Sequence, residues 1–389
     1  MPALDLSSAG LKALSMRSIE PFIARVREHL DDAPLAHERE VLLVRRPTAS
    51  LPPGFRGYLL WDEGLVKSSP APGDTYVLPP NLRYLAEGDV VRIHPERDAL
   101  STLYRRASPS NTFLVTERCD NHCLMCSQPP RKQDDSWLLD ELMQALPLIS
   151  PETRELGITG GEPSLLKGRL IALLAQMKHH LPTTAVHLLT NGRGFANPEL
   201  ARAVADVQHP DLMLGIPLYS DLPEEHDYVV QALGAFDETV RGILHLKRAR
   251  VRVELRCVVH AQTYARLPQL AEFIARNLAF VDHVALMGLE LMGFAKANLG
   301  LLWMDPLDYR PQLTAAVRTL SLAGLETSLY NHPLCTLPGE LHPFARKSIS
   351  DWKNLYAEDC ERCTRREDCG GLFASGLAKR SRGIQPFLD

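Results

Sequence analysis

Cys119, Cys123 and Cys126 stand at intervals of four and three residues, directly after the apolar run Phe113-Leu114-Val115. Thiolates so spaced can hold three corners of a cubane iron–sulfur cluster, and no further cysteine lies nearby to close the fourth. The fourth iron is then open. An open, soft-ligated iron can bind a chelating small molecule, whereas a cluster closed by four thiolates only stores or passes electrons. Two plainer readings compete. The same positions would share one face of a helix, as buried apolar side chains, but the intervening Asp120, Asn121 and His122 suit a loop. Zinc usually wants four ligands and cysteines in CxxC pairs, and His122 sits inside the first interval, where its reach is poor.

A second run, Thr159-Gly160-Gly161-Glu162-Pro163, follows Leu156-Gly157-Ile158, which reads as a short buried strand. The paired glycines let the backbone turn sharply and come close to a ligand. Glu162 offers a carboxylate where a ligand ammonium would sit, and Pro163 stops the strand. Alone this is a turn; after the cysteine run it becomes specific. Further on, Cys335 and the group Cys360-x2-Cys363-x5-Cys369, followed by Gly370-Gly371, supply four thiolates that could fully ligate another cluster or a zinc ion. Cys257, inside an apolar strand, reads as a small buried residue. Disulfides are not expected, because cluster cysteines must stay reduced.

The stretch from Thr116 to Cys126, Thr-Glu-Arg-Cys-Asp-Asn-His-Cys-Leu-Met-Cys, followed by Thr159–Pro163, resembles the radical S-adenosylmethionine (radical SAM) superfamily. The resemblance implies a 4Fe-4S cluster on Cys119, Cys123 and Cys126, with SAM chelating its open iron through the methionyl amine and carboxylate. One electron then cleaves SAM to a 5′-deoxyadenosyl radical, the cofactor carrying the chemistry and the protein the orientation. It implies cofactor contacts at Gly160, Gly161 and Glu162, at Asn191 and Ser220 ending the third and fourth strands, and at Arg256 on the fifth. Arg256 resembles the arginine that pairs with the SAM carboxylate. Met125 stands where many members place an aromatic residue against adenine. No catalytic acid or base is assigned. The C-terminal group resembles the SPASM/Twitch extensions of peptide-modifying members, so that Cys335, Cys360, Cys363 and Cys369 would hold an auxiliary 4Fe-4S cluster, with zinc as the alternative.

More narrowly, the β-rich leader, the run from Ser108 to Pro130 and the tail Ile349-Ser-Asp-Trp352-Lys-Asn354 leading into Cys360 are similar to the C-type radical SAM maturase of the His-Xaa-Ser peptide system. That similarity implies a ribosomally made precursor peptide rich in His-Xaa-Ser repeats. It also implies a B-type radical SAM partner, a small D-type accessory protein and an electron donor. Hydrogen abstraction from the peptide and closure of a cross-link is the implied activity. The alternative is a non-catalytic cluster-binding partner that scaffolds a second radical SAM maturase.

The elements that must position these residues alternate. Strands are predicted over 186–192, 212–220, 251–259 and 284–290, and helices over 198–207, 235–248 and 267–278. Counting from Phe113, six such units fit an α/β class fold, a partial (β/α)6 barrel with its ligands at the carboxyl ends of the strands. Before it, an amphipathic helix is predicted over 18–30, strands over 40–45, 57–61 and 88–94, and a Pro/Gly-rich connection over 70–80. This β-rich unit reads either as a cap on the barrel or as a docking surface using an exposed sheet edge. The expected division is 1–107 for helix and β-rich domain, 108–325 for the partial barrel and 326–389 for the auxiliary-cluster region.

Length and composition agree. A chain of 389 residues exceeds what one partial barrel needs, and its 45% apolar residues suffice for packed cores. A net charge of −4 gives no electrostatic footprint for nucleic acid. No apolar run is long enough to cross a membrane and no secretory signal is recognisable, so a soluble, cytoplasmic protein is expected.

Overall fold

The computed structural model describes residues 6–28, 37–66, 72–347, 355–377 and 379–388. The tail Ile349–Asn354 lies outside them. Strands β1 (Ser7–Ala9), β2 (Lys12–Ser15), β3 (Phe22–Arg27), β4 (His37–Val44), β5 (Phe55–Leu60), β6 (Asp74–Val77), β7 (Val90–His94) and β8 (Ala99–Tyr104) form one mixed sheet. Its order is β1-β8-β7-β3-β4-β5-β6-β2. The helix predicted over 18–30 is instead β3 where it is described. Phe22-Ile-Ala-Arg-Val-Arg27 alternates with period two: Ala24 and Val26 are fully buried, while Arg25 and Arg27 turn outward to Glu40 and Glu87. Asp74–Val77, inside the predicted connection, is a further strand hidden by its Pro/Gly flanks.

No long flat edge is left on this sheet. β1 and β2 are two halves of one segment bent at Gly10, whose φ of +102° suits glycine, and the amides of Gly10 and Leu11 both donate to Asp98 O at 2.8 and 2.9 Å. The first half pairs with β8 and the second with β6, so one short, bent segment takes the free sides of both. The exposed edge expected for strand addition is therefore reduced to this segment.

The second sheet is wholly parallel, with β9 (Asn111–Leu114), β10 (Glu155–Thr159), β11 (Ala185–Leu189), β12 (Leu212–Pro217), β13 (Arg252–Val259), β14 (His283–Gly288) and β15 (Thr327–Tyr330) side by side in chain order. Helices α1 (Ser136–Ala145), α2 (Gly168–His180), α3 (Pro198–Asp206), α4 (Pro223–Val230), α5 (Ala235–Arg248), α6 (Leu267–Asn277), α7 (Gly293–Ala297), α8 (Leu299–Leu302) and α9 (Arg310–Leu322) fill the crossovers. β9 and β15 do not pair with each other among the described residues, so the sheet is open. Where the sequence predicts six strands there are seven. The last, only four residues long, falls beyond residue 325 and extends the sheet into the stretch expected to serve the auxiliary cluster alone.

The two faces of this sheet differ, and that difference positions the site. Leu156, Ile158, Val186, Leu188, Leu214, Ile216, Val253, Leu255 and Leu286 face the helices in one apolar core. Register puts Gly157, His187, Gly215, Glu254, Arg256, His283 and Ser328 on the other, concave face, which is polar.

Candidate active site

Every candidate residue except Arg256 lies in a loop beyond the carboxyl end of a strand. The cysteine run occupies the loop after β9, and that loop is tied at each turn. Asp135 accepts from Thr116 Oγ1 at 2.7 Å, from the amides of Glu117 and Arg118, and from Arg118 Nε at 3.2 Å. Burial raises its pKa, but these donors outweigh burial and hold the carboxyl below its usual range. His122 and Leu124 donate their amides to Val230 O and Val229 O at the end of α4. Asn298 Nδ2 and the Phe294 amide close on Leu124 O and Cys126 O, each at 2.8 Å. Burial pushes the thiols of Cys119 and Cys123 up to about 12, and the charge of neighbouring cysteines adds to it. Three thiols that burial keeps from ionising are a donor set that a cationic, soft centre would stabilise as thiolates.

The Gly-Gly-Glu run meets this loop backbone to backbone. Gly161 and Glu162 donate their amides to Thr116 O and Arg118 O at 2.8 and 2.7 Å. A Cβ on Gly160 would stand 2.6 Å from Thr116 O, and one on Gly161 2.2 Å from Arg118 O. Here the glycines admit the cysteine loop. Glu162 also has a different task from the one its type suggests. It is 0% exposed, and its carboxylate accepts from Ser164 N at 2.8 Å, from Thr190 Oγ1 and from Asn191 N. It latches the end of β10 to the end of β11. Burial raises its pKa against those donors.

Asn191 extends the latch: its Nδ2 donates to Asp120 Oδ1 at 2.6 Å. Arg193, which sequence reasoning passed over, completes it. Its Nη1 donates to Asp120 O at 2.9 Å and Asn121 Oδ1 at 2.7 Å, and its Nε to Glu238 at 2.6 Å. The interval between Cys119 and Cys123 is thus clamped from β11. An arginine directly after the strand-ending Thr190-Asn191-Gly192 was the available signal.

Ser220 is buried with its hydroxyl donating to Glu225 at 2.8 Å and accepting from Leu222 N at 3.2 Å, a local bond set that opens α4. Met125 is buried in the sheet–helix core. Arg256 lies on the concave face, its Nη1 on Glu254 at 2.6 Å and its Nη2 on Met287 Sδ at 3.2 Å, which leaves guanidinium donors to spare. Glu254 also receives His283 Nδ1 at 2.7 Å, with His187 Nε2 at 3.4 Å, and His283 Nε2 meets Ser328 Oγ at 2.9 Å. Burial would raise the Glu254 pKa, but the histidines and Arg256 prevail and hold it far below the usual range. Burial pushes the Tyr219 hydroxyl well up, helped by Cys123, Cys257 and Cys126 and opposed by Arg256.

Beyond β15, Cys335, Cys360, Cys363 and Cys369 line one cavity of about 390 Å³, together with Tyr356, Leu372 and Phe387. The amides of Leu334 and Gly371 each donate to Cys369 Sγ at 3.4 Å. Among the described residues, no three His, Cys, Asp or Glu side chains close tightly enough to grip a single metal ion. A larger cavity, about 630 Å³, lies between the ends of β13, β14 and β15 and the C-terminal extension. Trp303, Tyr309, Phe373, Lys379 and Arg380 are among its walls, and Pro333, Gly371, Leu372 and Ile384 line both cavities. No helix of the described residues is long and apolar enough to cross a membrane.

No curated protein matches the chain. Among solved structures it is similar to SuiB of Streptococcus suis bound to S-adenosylmethionine, at 16% identity over 62% of this chain and 54% of that one, TM-score 0.47. SuiB bound to precursor peptide SuiA gives 14% identity over 58% and 49%, TM-score 0.45. Native anSMEcpe with bound AdoMet and Cp18Cys peptide gives 16% identity over 56% and 62%, TM-score 0.44. The chain thus spans about half the length of SuiB. The family model of the radical SAM superfamily matches residues 113–274, from the first parallel strand to α6, and takes in the cysteine loop, the Gly-Gly-Glu run and Arg256. This family implies a 4Fe-4S cluster and SAM, and the three-thiol donor set fits the first. Over residues 113–274 the chain is thus similar to the radical SAM superfamily.

Proposed function

We propose that this chain is a radical SAM enzyme that modifies a ribosomally made precursor peptide of the His-Xaa-Ser type. The observation that carries the reading is a loop of three thiols without a fourth, clamped at the carboxyl end of a parallel sheet. Bound there, a 4Fe-4S cluster with SAM supplies a 5′-deoxyadenosyl radical, which can take hydrogen from a peptide carbon. The chain's own share is to hold and shield. Asp135, Asn191 and Arg193 fix the loop that carries Cys119, Cys123 and Cys126. We assign the spare donors of Arg256 to SAM, with Gly160, Gly161 and Glu162 acting on it by holding the cysteine loop against the end of β10. Asn191 and Ser220, whose side chains are already engaged, act through the loop and the helix start they hold, and Met125 acts by packing beneath the loop.

Two further features support a peptide-modifying enzyme. The cavity of about 630 Å³ beside the strand ends combines aromatic walls with two cations, a lining that suits peptide side chains. The four cysteines that line one cavity supply the four ligands that an auxiliary 4Fe-4S cluster, or a zinc ion, takes. On this reading the chain divides into an N-terminal sheet within 1–107, a sheet-and-helix body from 108 through β15, and an auxiliary-cluster extension beyond it. A B-type radical SAM partner, a D-type accessory protein and a cytoplasmic electron donor belong to the same proposal.

Anaerobic incubation of iron- and sulfide-reconstituted protein with SAM and dithionite tests it, read as 5′-deoxyadenosine. Wild type is expected to form it, Cys123→Ala none, and Cys363→Ala some without peptide product. About eight irons per chain are expected for two cubanes. Mass spectrometry of a candidate precursor after co-expression then reports the altered residues. No 5′-deoxyadenosine from fully loaded wild type would overturn the enzyme reading in favour of a cluster-binding scaffold.

A further inference from the structure

We infer that residues 381–387, which belong to no cysteine motif, are a strap that roofs the four-cysteine cavity and donates a backbone N–H to one of its sulfurs. The inference rests on reading those cysteines as the ligands of a cluster or metal. The strap has a latch. Ser381 Oγ donates to Asp305 Oδ1 at 2.6 Å and the Arg382 amide to Asp305 Oδ2 at 2.9 Å, while the Arg382 guanidinium pairs with Asp308. Asp305 is buried and also caps the turn before α9 through Leu307 N at 3.0 Å, so the latch is set into a fixed element.

Past the latch the chain crosses the cavity, which Ile384, Gln385 and Phe387 line. The Phe387 amide donates to Cys363 Sγ at 3.4 Å. Thr364 N holds Phe387 O at 2.9 Å, and His342 and Arg365 pack on the Phe387 ring, at 5.8 and 5.6 Å between centres. An N–H donor to a thiolate neutralises part of its charge, and an apolar roof keeps water and chelators from the centre. Ile384 also lines the larger cavity, so the strap is part of the wall between the two.

The test uses full-length chain with Cys119, Cys123 and Cys126 all changed to Ala, so that bound iron belongs to the C-terminal site. In that background, Ser381→Ala with Arg382→Ala frees the latch. Iron release to bathophenanthroline is expected to quicken about tenfold in the latch variant, the equivalent of one or two net hydrogen bonds. In metal-free protein, iodoacetamide should label Cys335 and Cys363 faster in the latch variant than in its parent, with Cys257 unchanged as the internal control. Equal release and equal labelling in latch variant and parent overturn the strap. A parent that binds neither iron nor zinc overturns the auxiliary-site reading instead, and the labelling rates still decide whether 381–387 is a roof.

Discussion

Glu162 has all its polar contacts inside the chain, and that sets what its replacement does. Three donors, Ser164 N, Thr190 Oγ1 and Asn191 N, converge on its carboxylate. In Glu162→Gln only one side-chain atom still accepts, so an amide N–H faces the new NH2 in a buried site. A loss of about 2–4 kcal/mol in urea unfolding is expected, with iron loading reduced in parallel. Arg193→Lys separates holding the loop from holding the fold. A lysine cannot span Asp120 O, Asn121 Oδ1 and Glu238 at once, so iron should leave the barrel site about tenfold faster while stability falls by only about 1 kcal/mol. Residue type and spacing disclosed the donors, Cys119, Cys123 and Cys126, because thiols at those intervals have few other uses. They did not disclose that Glu162 and Asn191 would be engaged by neighbours far along the chain, since a side chain's partner is a property of the fold.

At the scale of elements, the parallel sheet was legible because its outer face is apolar and each strand is followed by a helix with one buried face. α5 falls at the predicted bounds, and β10 to β14 within three residues of theirs. The misreadings have local causes. In β3 the basic residues at every second position pass for the polar side of a helix, and β15 is too short to show alternation. What no pattern discloses is the pairing of the Gly160–Glu162 run with the cysteine loop. That pairing predicts a contrast between two glycines. Gly161→Ala sets a methyl 2.2 Å from Arg118 O, a backbone atom that cannot swing aside, so stability should fall by about 3 kcal/mol and iron per chain should drop with it. Gly300→Ala, in α8 with nothing within 4 Å, should be neutral or stabilising by up to about 1 kcal/mol. Thermal melts and iron analysis of the pair check this. Equal behaviour would mean that the loop does not lie against β10.

For the whole molecule, the two sheets should respond to acid in opposite directions. His226, His260 and His332 are buried around the parallel sheet, and burial lowers each to about 4 from 6.5. His226 and His260 accept the amides of Tyr219 and Gln262 at Nδ1, so the neutral ring carries its proton on Nε2 and a second proton would have to sit on Nδ1, facing an N–H donor. A group whose pKa is depressed by folding contributes stability above its unfolded value and loses it as the pH falls towards the folded one. Each histidine should therefore cost the parallel sheet about 2 kcal/mol between pH 7 and pH 5. Asp89, at the start of β7, works the other way. Burial raises it to about 6 from 3.8, against the amides of Arg106 and Ala86 that donate to it. Its stabilising form is the protonated one, present below 3.8 and lost as the pH rises through 6, so the N-terminal sheet should gain about 1 kcal/mol over the same acidification. Calorimetry at pH 7 and pH 5 should accordingly show the unfolding of the two sheets drawing apart, with His332→Gln flattening the acid slope of the parallel sheet and Asp89→Asn that of the N-terminal one. A single transition with the same midpoint at both values would mean that these groups titrate alike in the folded and unfolded chain.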